Sequence, residues 1–247
     1  MQSDSYTNVR NRGVMFTFAL SKSARRVLLA SGALVIASAT VASSTAMAAS
    51  GGPRRASPVS AHSAKLPRPV SVTVNPATTA YLLLDLTSVV CAPNPTCVAS
   101  LPAAAALLAK ARAAGATVIY SETTTSGSQI LPQVAPQAGE SVVLAHADKF
   151  FNTDLDQILS SRGIKTLVVV GTAANGAVLY TTFEAGLRGY TVVVAKDGVS
   201  ADSPFIMHYS LFQLLNEPGF SNPQNTPLLA GAVTLSKASL VTFQASS

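Results

Sequence analysis

Apolar and polar positions come in blocks along this chain, and the period of the pattern changes from block to block. Residues 79–86 form a nearly unbroken apolar run with Asp85 near its end, the pattern of a strand covered on both faces. Pro102 opens a stretch whose Leu107, Leu108 and Ala111 share one helical face, and Gly115 stops it after Ala114. Residues 117–121 read as the next strand, 127–140 as a long polar, proline-containing loop, and 141–146 as a short strand. Thr153 then suits a helix N-cap with Asp156 three residues on, and Leu155, Ile158 and Leu159 carry helical spacing as far as Arg162-Gly163. A strand over 166–170, a helix over 175–188 and a strand over 190–195 follow, then a helix over 204–216 and a last strand from 233–235 with 240–243. No internal repeat is present. This alternation with short links predicts an α/β fold, a three-layer α/β/α sandwich around a mainly parallel sheet.

The two ends change that picture. Lys22, Arg25 and Arg26 precede an apolar stretch over 27–36, diluted by Ala, Ser and Thr up to Ala42, and Ala46-Met47-Ala48 offers small residues at both recognition positions of a signal-peptidase site. Residues 1–48 therefore read as a signal peptide cleaved after Ala48, too short and too rich in Ser and Thr to span a membrane. Arg25-Arg26 leaves a twin-arginine route open beside the general one, and Met15 is an alternative start. The Pro/Ser/Ala-rich residues 49–69 read as a flexible leader, and 70–247 as the folded domain. The expected location is the periplasm or outside the cell, with no stable membrane span after cleavage.

Charge follows the same division. The formal net charge of +6 falls to +2 once residues 1–48, with five bases and one acid, are removed. Four more bases, Arg54, Arg55, Lys65 and Arg68, lie in the leader, so the domain itself holds 8 Lys/Arg against 10 Asp/Glu. No basic stripe with interleaved aromatics occurs there, which argues against a nucleic-acid partner. The 2 cysteines, Cys91 and Cys97, flank Ala-Pro-Asn-Pro-Thr in an expected loop. In an exported chain a disulfide is the natural pairing, with a metal site or a reactive thiol pair as the alternatives. Only 3 histidines occur, one of them His62 in the leader, so no His-based metal set is expected and no cofactor is implied.

Ligands of open parallel sheets bind beyond the carboxyl ends of the strands. That rule selects Asp85-Leu86, Ser121-Glu122, residues 146–149, residues 171–177 and Lys196-Asp197. A charge ending so apolar a run as Tyr81-Leu82-Leu83-Leu84-Asp85 is costly unless paired or used; its ordinary structural role would be to cap a loop amide. Lys149, in Asp148-Lys149-Phe150-Phe151-Asn152-Thr153-Asp154-Leu155, would ordinarily be a solvated lysine beside Asp148, and His146 is a second candidate for the same place. The turn Gly171-Thr172-Ala173-Ala174-Asn175-Gly176-Ala177-Val178 follows a Val-rich strand and opens a helix, whose free amides can hold a carboxylate or an oxyanion. Its small side chains would equally serve close strand-to-helix packing. Neither G-x-G-x-x-G, a Walker pattern nor G-x-S-x-G is present.

Three of these segments together resemble the isochorismatase-like, or cysteine hydrolase, superfamily over residues 79–202. The family's strand-to-helix turn usually reads Gly-x-x-x-Asn-x-Cys-Val, and here Ala177 stands where that Cys would be. The apolar run ending in Asp85 resembles the strand that carries the family's acid/base Asp, and 150–155 resembles its aromatic-x-x-Thr-Asp-Leu lead into a helix. The resemblance implies a Rossmann-like isochorismatase fold, Asp85 and Lys149 as catalytic pair, and a ligand side formed by Thr172, Ala173 and Gly176, with the Gly176 and Ala177 amides as anion cradle. Lys149 departs from the pattern, since the family's Lys lies several residues earlier, where this chain reads Leu144-Ala145-His146. Family members of the amidase kind need the Cys nucleophile, whereas isochorismatases proper cleave a vinyl ether by protonation and water capture without it. The implied protein is thus a hydrolase of a small-molecule substrate acting without a Cys nucleophile and without metal. The alternative is a small-molecule-binding pseudoenzyme of the same fold. Relatives of this kind often pair through exposed helix faces, which implies a homo-oligomer.

Overall fold

The structure, a computed structural model, describes residues 65–245. The expected signal over 1–48 and the leader as far as residue 64 lie outside the described residues. In chain order the elements are β1 (Val72–Val74), β2 (Thr79–Leu84), α1 (Pro95–Ala113), β3 (Thr117–Glu122), β4 (Ser141–Leu144), α2 (Leu155–Ser161), β5 (Thr166–Gly171), α3 (Leu179–Leu187), β6 (Thr191–Val199), α4 (Pro204–Leu215), β7 (Val233–Ser236) and β8 (Val241–Phe243).

The strands read as apolar on both faces because both faces are covered. Every residue of β2 is buried. Tyr81 and Leu83, with Val118, Val168, Val170 and Val193 of the neighbouring strands, point to α1. Leu82 and Leu84, with Ile119, Leu167, Val169 and Val194, point to the layer formed by α2, α3 and α4. Burying one such Leu or Val contributes about 1.5–3 kcal/mol, so this sheet is the main source of stability. Helix α1 meets it through Leu101, Ala104, Leu107, Leu108 and Ala111, spaced at three and four residues as one helical stripe requires.

The six-stranded sheet is wholly parallel, in the order β4-β3-β2-β5-β6-β7. The chain builds outward from β2 through β3 to β4, then returns to β2's other side with β5. The order therefore reverses between β2 and β5, and a crevice opens beyond the carboxyl ends of these two strands. Asp85 follows one of them and the 171–178 turn follows the other. A separate parallel pair, β1 with β8, packs on the α1 side.

Several boundaries differ from the sequence reading: among them, β4 ends at Leu144 rather than at 146, and β6 runs Thr191–Val199 rather than over 190–195. Helix α1 begins at Pro95, because the Asn94 side chain accepts from the amides of Thr96 and Cys97 and Pro95 suits the first turn. Pro102 thus lies inside the helix, on its exposed face, and Cys97 belongs to the first turn of α1 rather than to a loop. Strand β2 stops at Leu84, since Asp85 adopts a left-handed backbone with φ 53°. Helix α2 begins one residue later than Thr153 implies, with Asp154 at the N-cap place making no side-chain cap bond; the capping contact comes from Thr153, whose Oγ1 accepts from the Leu155 N–H at 3.3 Å and donates to the Lys149 carbonyl. The helix expected from Asn175 opens as a wide turn over Ala174–Val178, with Gly176 outside helical geometry, and becomes regular only at Leu179. The packed part of the chain also begins before Val70, for Leu66 lies against the core and the Arg68 carbonyl accepts from Asn225.

Candidate active site

Asp85 sits at the centre of the sheet's carboxyl edge. Its left-handed conformation is costly for most side chains but tolerated by Asp, and it turns the chain out of β2 at the point where the crevice opens. The residue is 5% exposed. Parallel pairing sets Leu84 opposite Ser121 of β3, which brings Ser121 against the next residue, Asp85. The Ser121 hydroxyl donates to Asp85 Oδ1 at 2.8 Å, and the Asp85 N–H reaches the Ser121 Oγ at 3.1 Å and its carbonyl at 3.3 Å.

Lys149 comes from the loop between β4 and α2. It is 1% exposed, and Nζ donates to Asp85 Oδ2 at 2.7 Å and to the His146 carbonyl. The loop curls back so that a lysine beyond the strand end reaches the strand edge. Local polar groups hold that curl: Asp148 Oδ1 accepts from the Phe150 N–H, the Thr153 hydroxyl donates to the Lys149 carbonyl, and Asn152 takes a left-handed φ of 55°. The Lys149 N–H donates to Thr181 Oγ1 of α3 at 3.2 Å. Lys149 is therefore not a solvated lysine beside Asp148, and Asp85 receives a hydroxyl and an ammonium rather than a loop amide. His146 is exposed and contributes its carbonyl alone to this cluster.

The 171–178 turn closes the third side. Gly171 has φ 135°, and a Cβ there would lie 2.2 Å from the Leu84 carbonyl oxygen, so only glycine lets β5 end so close to β2. The Thr172 N–H donates to that same carbonyl at 2.9 Å. From the far side, the Ser200 carbonyl accepts from the Ala174 N–H and the Ser200 N–H donates to the Gly171 carbonyl. Within the turn, the amides of Gly176 and Val178 both donate to the Ala173 carbonyl. This corrects the expected anion cradle: the Gly176 N–H is already used by its own turn. The Ala177 N–H donates to no backbone carbonyl outside the turn among the described residues. Thr172 and Ala177 are buried, and Ala173 and Gly176 are half-buried.

A match to the family model described as Isochorismatase domain covers residues 79–221, more than half of the chain. The chain belongs to the isochorismatase family. Two curated relatives of this family member match over shorter stretches. A secreted isochorismatase effector of Verticillium dahliae is 35% identical over 113 residues, 41% of this chain and 60% of that protein. The N-carbamoylsarcosine amidase of an Arthrobacter species is 30% identical over 93 residues, 37% of this chain and 35% of that protein. The chain thus matches less than two thirds of either relative's length. Among solved structures, a cysteine hydrolase from Pseudomonas syringae pv. phaseolicola superposes with a TM-score of 0.59 at 22% identity, covering 70% of this chain and 94% of that one. That likeness establishes the α/β fold of this isochorismatase-family chain.

The electrostatics of the cluster are set by burial against pairing. Desolvation pushes the Asp85 carboxyl above the ordinary aspartate range, while the Lys149 ammonium and the hydroxyl of Ser121 pull it down without cancelling the rise. A carboxyl so placed can hold a proton at higher pH than a surface aspartate, as an acid catalyst requires.

Cys91 and Cys97 are joined in a disulfide and fully buried. They are the 2 cysteines of the sequence, and both thiols are spent in this bridge. The bridge ties the first turn of α1 to the segment after β2, where the Cys91 and Ala92 amides donate to the Thr87 carbonyl. Among the described residues no group of three or more His, Cys, Asp or Glu converges, and no helix is long and apolar enough to cross a membrane. The disulfide and the secreted relative are compatible with secretion.

Sequence reading placed Ser121 at a strand end without singling it out, and it did not reach Thr181. Neither carries a motif; both become site residues through contacts between elements distant along the chain, to Asp85 and to Lys149.

Proposed function

We propose that this protein is an exported isochorismatase-family hydrolase, periplasmic or secreted, that works without a Cys nucleophile. Asp85 is the acid/base, Lys149 its electrostatic partner, and the Ala177 amide, with Thr172 and Ala173 beside it, forms the ligand side. The observation that carries this reading is the buried Lys149 Nζ–Asp85 Oδ2 contact of 2.7 Å in a chain whose cysteines are both locked in a disulfide. With no free thiol, covalent amide hydrolysis lacks its nucleophile, whereas protonation by Asp85 does not need one. For a vinyl ether such as isochorismate, the proton of Asp85 passes to the vinyl carbon and leaves a carboxylate. Lys149 offsets the negative charge on Asp85 while water adds to the resulting oxygen-stabilised cation and returns a proton to that carboxylate. The hemiketal then breaks its C–O bond to the ring, its hydroxyl proton passing to the departing ring oxygen, which leaves the ring alcohol and a keto acid.

The test is turnover of isochorismate and, in parallel, of N-carbamoylsarcosine by the purified protein. Isochorismate should be consumed, and Asp85→Asn should lower the rate by about 10²–10⁴-fold while the circular dichroism spectrum is kept. Ala177→Cys should gain activity on N-carbamoylsarcosine if the turn retains the amidase geometry. Undiminished turnover in Asp85→Asn would sink the mechanism. Binding of isochorismate without turnover by the wild type would instead favour the pseudoenzyme.

A further inference from the structure

The two oxygens of Asp85 face different kinds of partner. Oδ2 meets the Lys149 ammonium, which has three donors and no acceptor. Oδ1 meets the Ser121 hydroxyl, which can donate or accept. A proton on Oδ2 would set O–H against N–H and forfeit a charge-assisted bond in a nearly dry site. A proton on Oδ1 requires that the Ser121 hydroxyl rotate and accept, which takes Oδ1 away as the acceptor of its own hydrogen, so the bond is stronger to the ionised carboxyl than to the acid. The Ser121 oxygen stays in place meanwhile, because it also accepts from the Asp85 N–H at 3.1 Å, and an oxygen with two lone pairs can serve both donors. Ser121 is 2% exposed, on a central strand, so its hydroxyl is held among protein groups rather than dispersed in solvent.

We propose that Ser121 is a positioning residue that fixes the plane of the Asp85 carboxyl and directs its proton to Oδ1, letting Asp85 pass between acid and carboxylate without moving. The inference rests on Asp85 acting as acid and base, as set out above. Lys149 is the charged group facing this carboxyl, and Ser121 on β3 is the polar one.

The experiment reads Asp85 directly and needs no substrate. The carboxyl ¹³C shift of Asp85 is titrated by NMR in wild type, Ser121→Ala and Ser121→Thr. Because the Ser121 bond favours the ionised form, Ser121→Ala should move the titration of Asp85 to higher pH, and Ser121→Thr, which keeps the hydroxyl, should return it toward wild type. A residue that merely fills space would change the unfolding midpoint and leave the titration where it was. Superposition of the Ser121→Ala and wild-type curves, or a shift in Ser121→Thr as large as in Ser121→Ala, overturns the inference. Should Ser121→Ala not fold, Ser121→Cys keeps the volume with a weaker donor, and its titration should move in the same direction; no movement again overturns the inference. With isochorismate, Ser121→Ala should lower kcat by up to about 100-fold through misplacement of the acid, with KM little changed. Absence of wild-type turnover would count against the proposed reaction and leave the titration result to decide the role of Ser121 by itself.

Discussion

Replacing Lys149 with Met probes the centre of the site. Lys149 and Asp85 are 1% and 5% exposed, and their charged atoms lie 2.7 Å apart. Met fills much of the same space but leaves the Asp85 carboxylate buried without its cation, a loss of about 3–5 kcal/mol in comparable buried pairs. An exposed pair would cost about 1 kcal/mol or less. Against a typical domain stability of about 5–15 kcal/mol, the variant should still fold, with a clearly lower urea midpoint at pH 8. Asp85 has a way to relieve the cost, which is to take up a proton. Its folded pKa already stands above its unfolded value, so its contribution to stability is full below the ordinary aspartate range and is lost as pH rises through the folded value. Without Lys149 the folded value rises further, and the variant should recover stability between pH 8 and pH 5 more steeply than wild type. Adding Asp85→Asn should recover most of the loss at pH 8 and flatten the extra pH dependence. The assay is urea unfolding followed by circular dichroism at both pH values, for both single variants and the double. A loss in Lys149→Met below about 1 kcal/mol, or a pH dependence parallel to wild type, would refute the argument from burial.

Two further outcomes follow from the backbone around the site. Gly171→Ala should cost about 3 kcal/mol or more in thermal unfolding, because the added Cβ meets the Leu84 carbonyl and φ 135° is unfavourable for alanine; a change below about 1 kcal/mol would show that β5 can pull away from β2. Cys91→Ser with Cys97→Ser opens a ring of sequence separation 6 and should lower stability by about 2 kcal/mol, read as a shift in the urea midpoint, with the sheet intact by circular dichroism.

Much of the architecture was legible because burial writes itself into composition. A strand covered on both faces cannot carry polar side chains cheaply, so β2, β5 and β6 stand out as apolar runs, and helices appear between them where the period changes. The boundaries were less legible where a side chain competes for the backbone. Asn94 caps α1 before the Pro102 that the pattern suggested, and the Thr153 hydroxyl, which accepts from the Leu155 N–H at the start of α2, also turns back to donate to Lys149.

The site divides in the same way. Sequence alone determined that an acid ends the central apolar run and that a small-residue turn follows the Val-rich strand, since these are properties of contiguous residues. Tertiary structure decided which cation meets Asp85, which hydroxyl shares its carboxyl, and which amide of the turn is spent internally. Those facts depend on strand register, on the curl of the loop that carries Lys149, and on the reversal of strand order between β2 and β5. Each joins groups far apart along the chain, and local propensity carries no information about such a contact; it exists only once the sheet has closed around it.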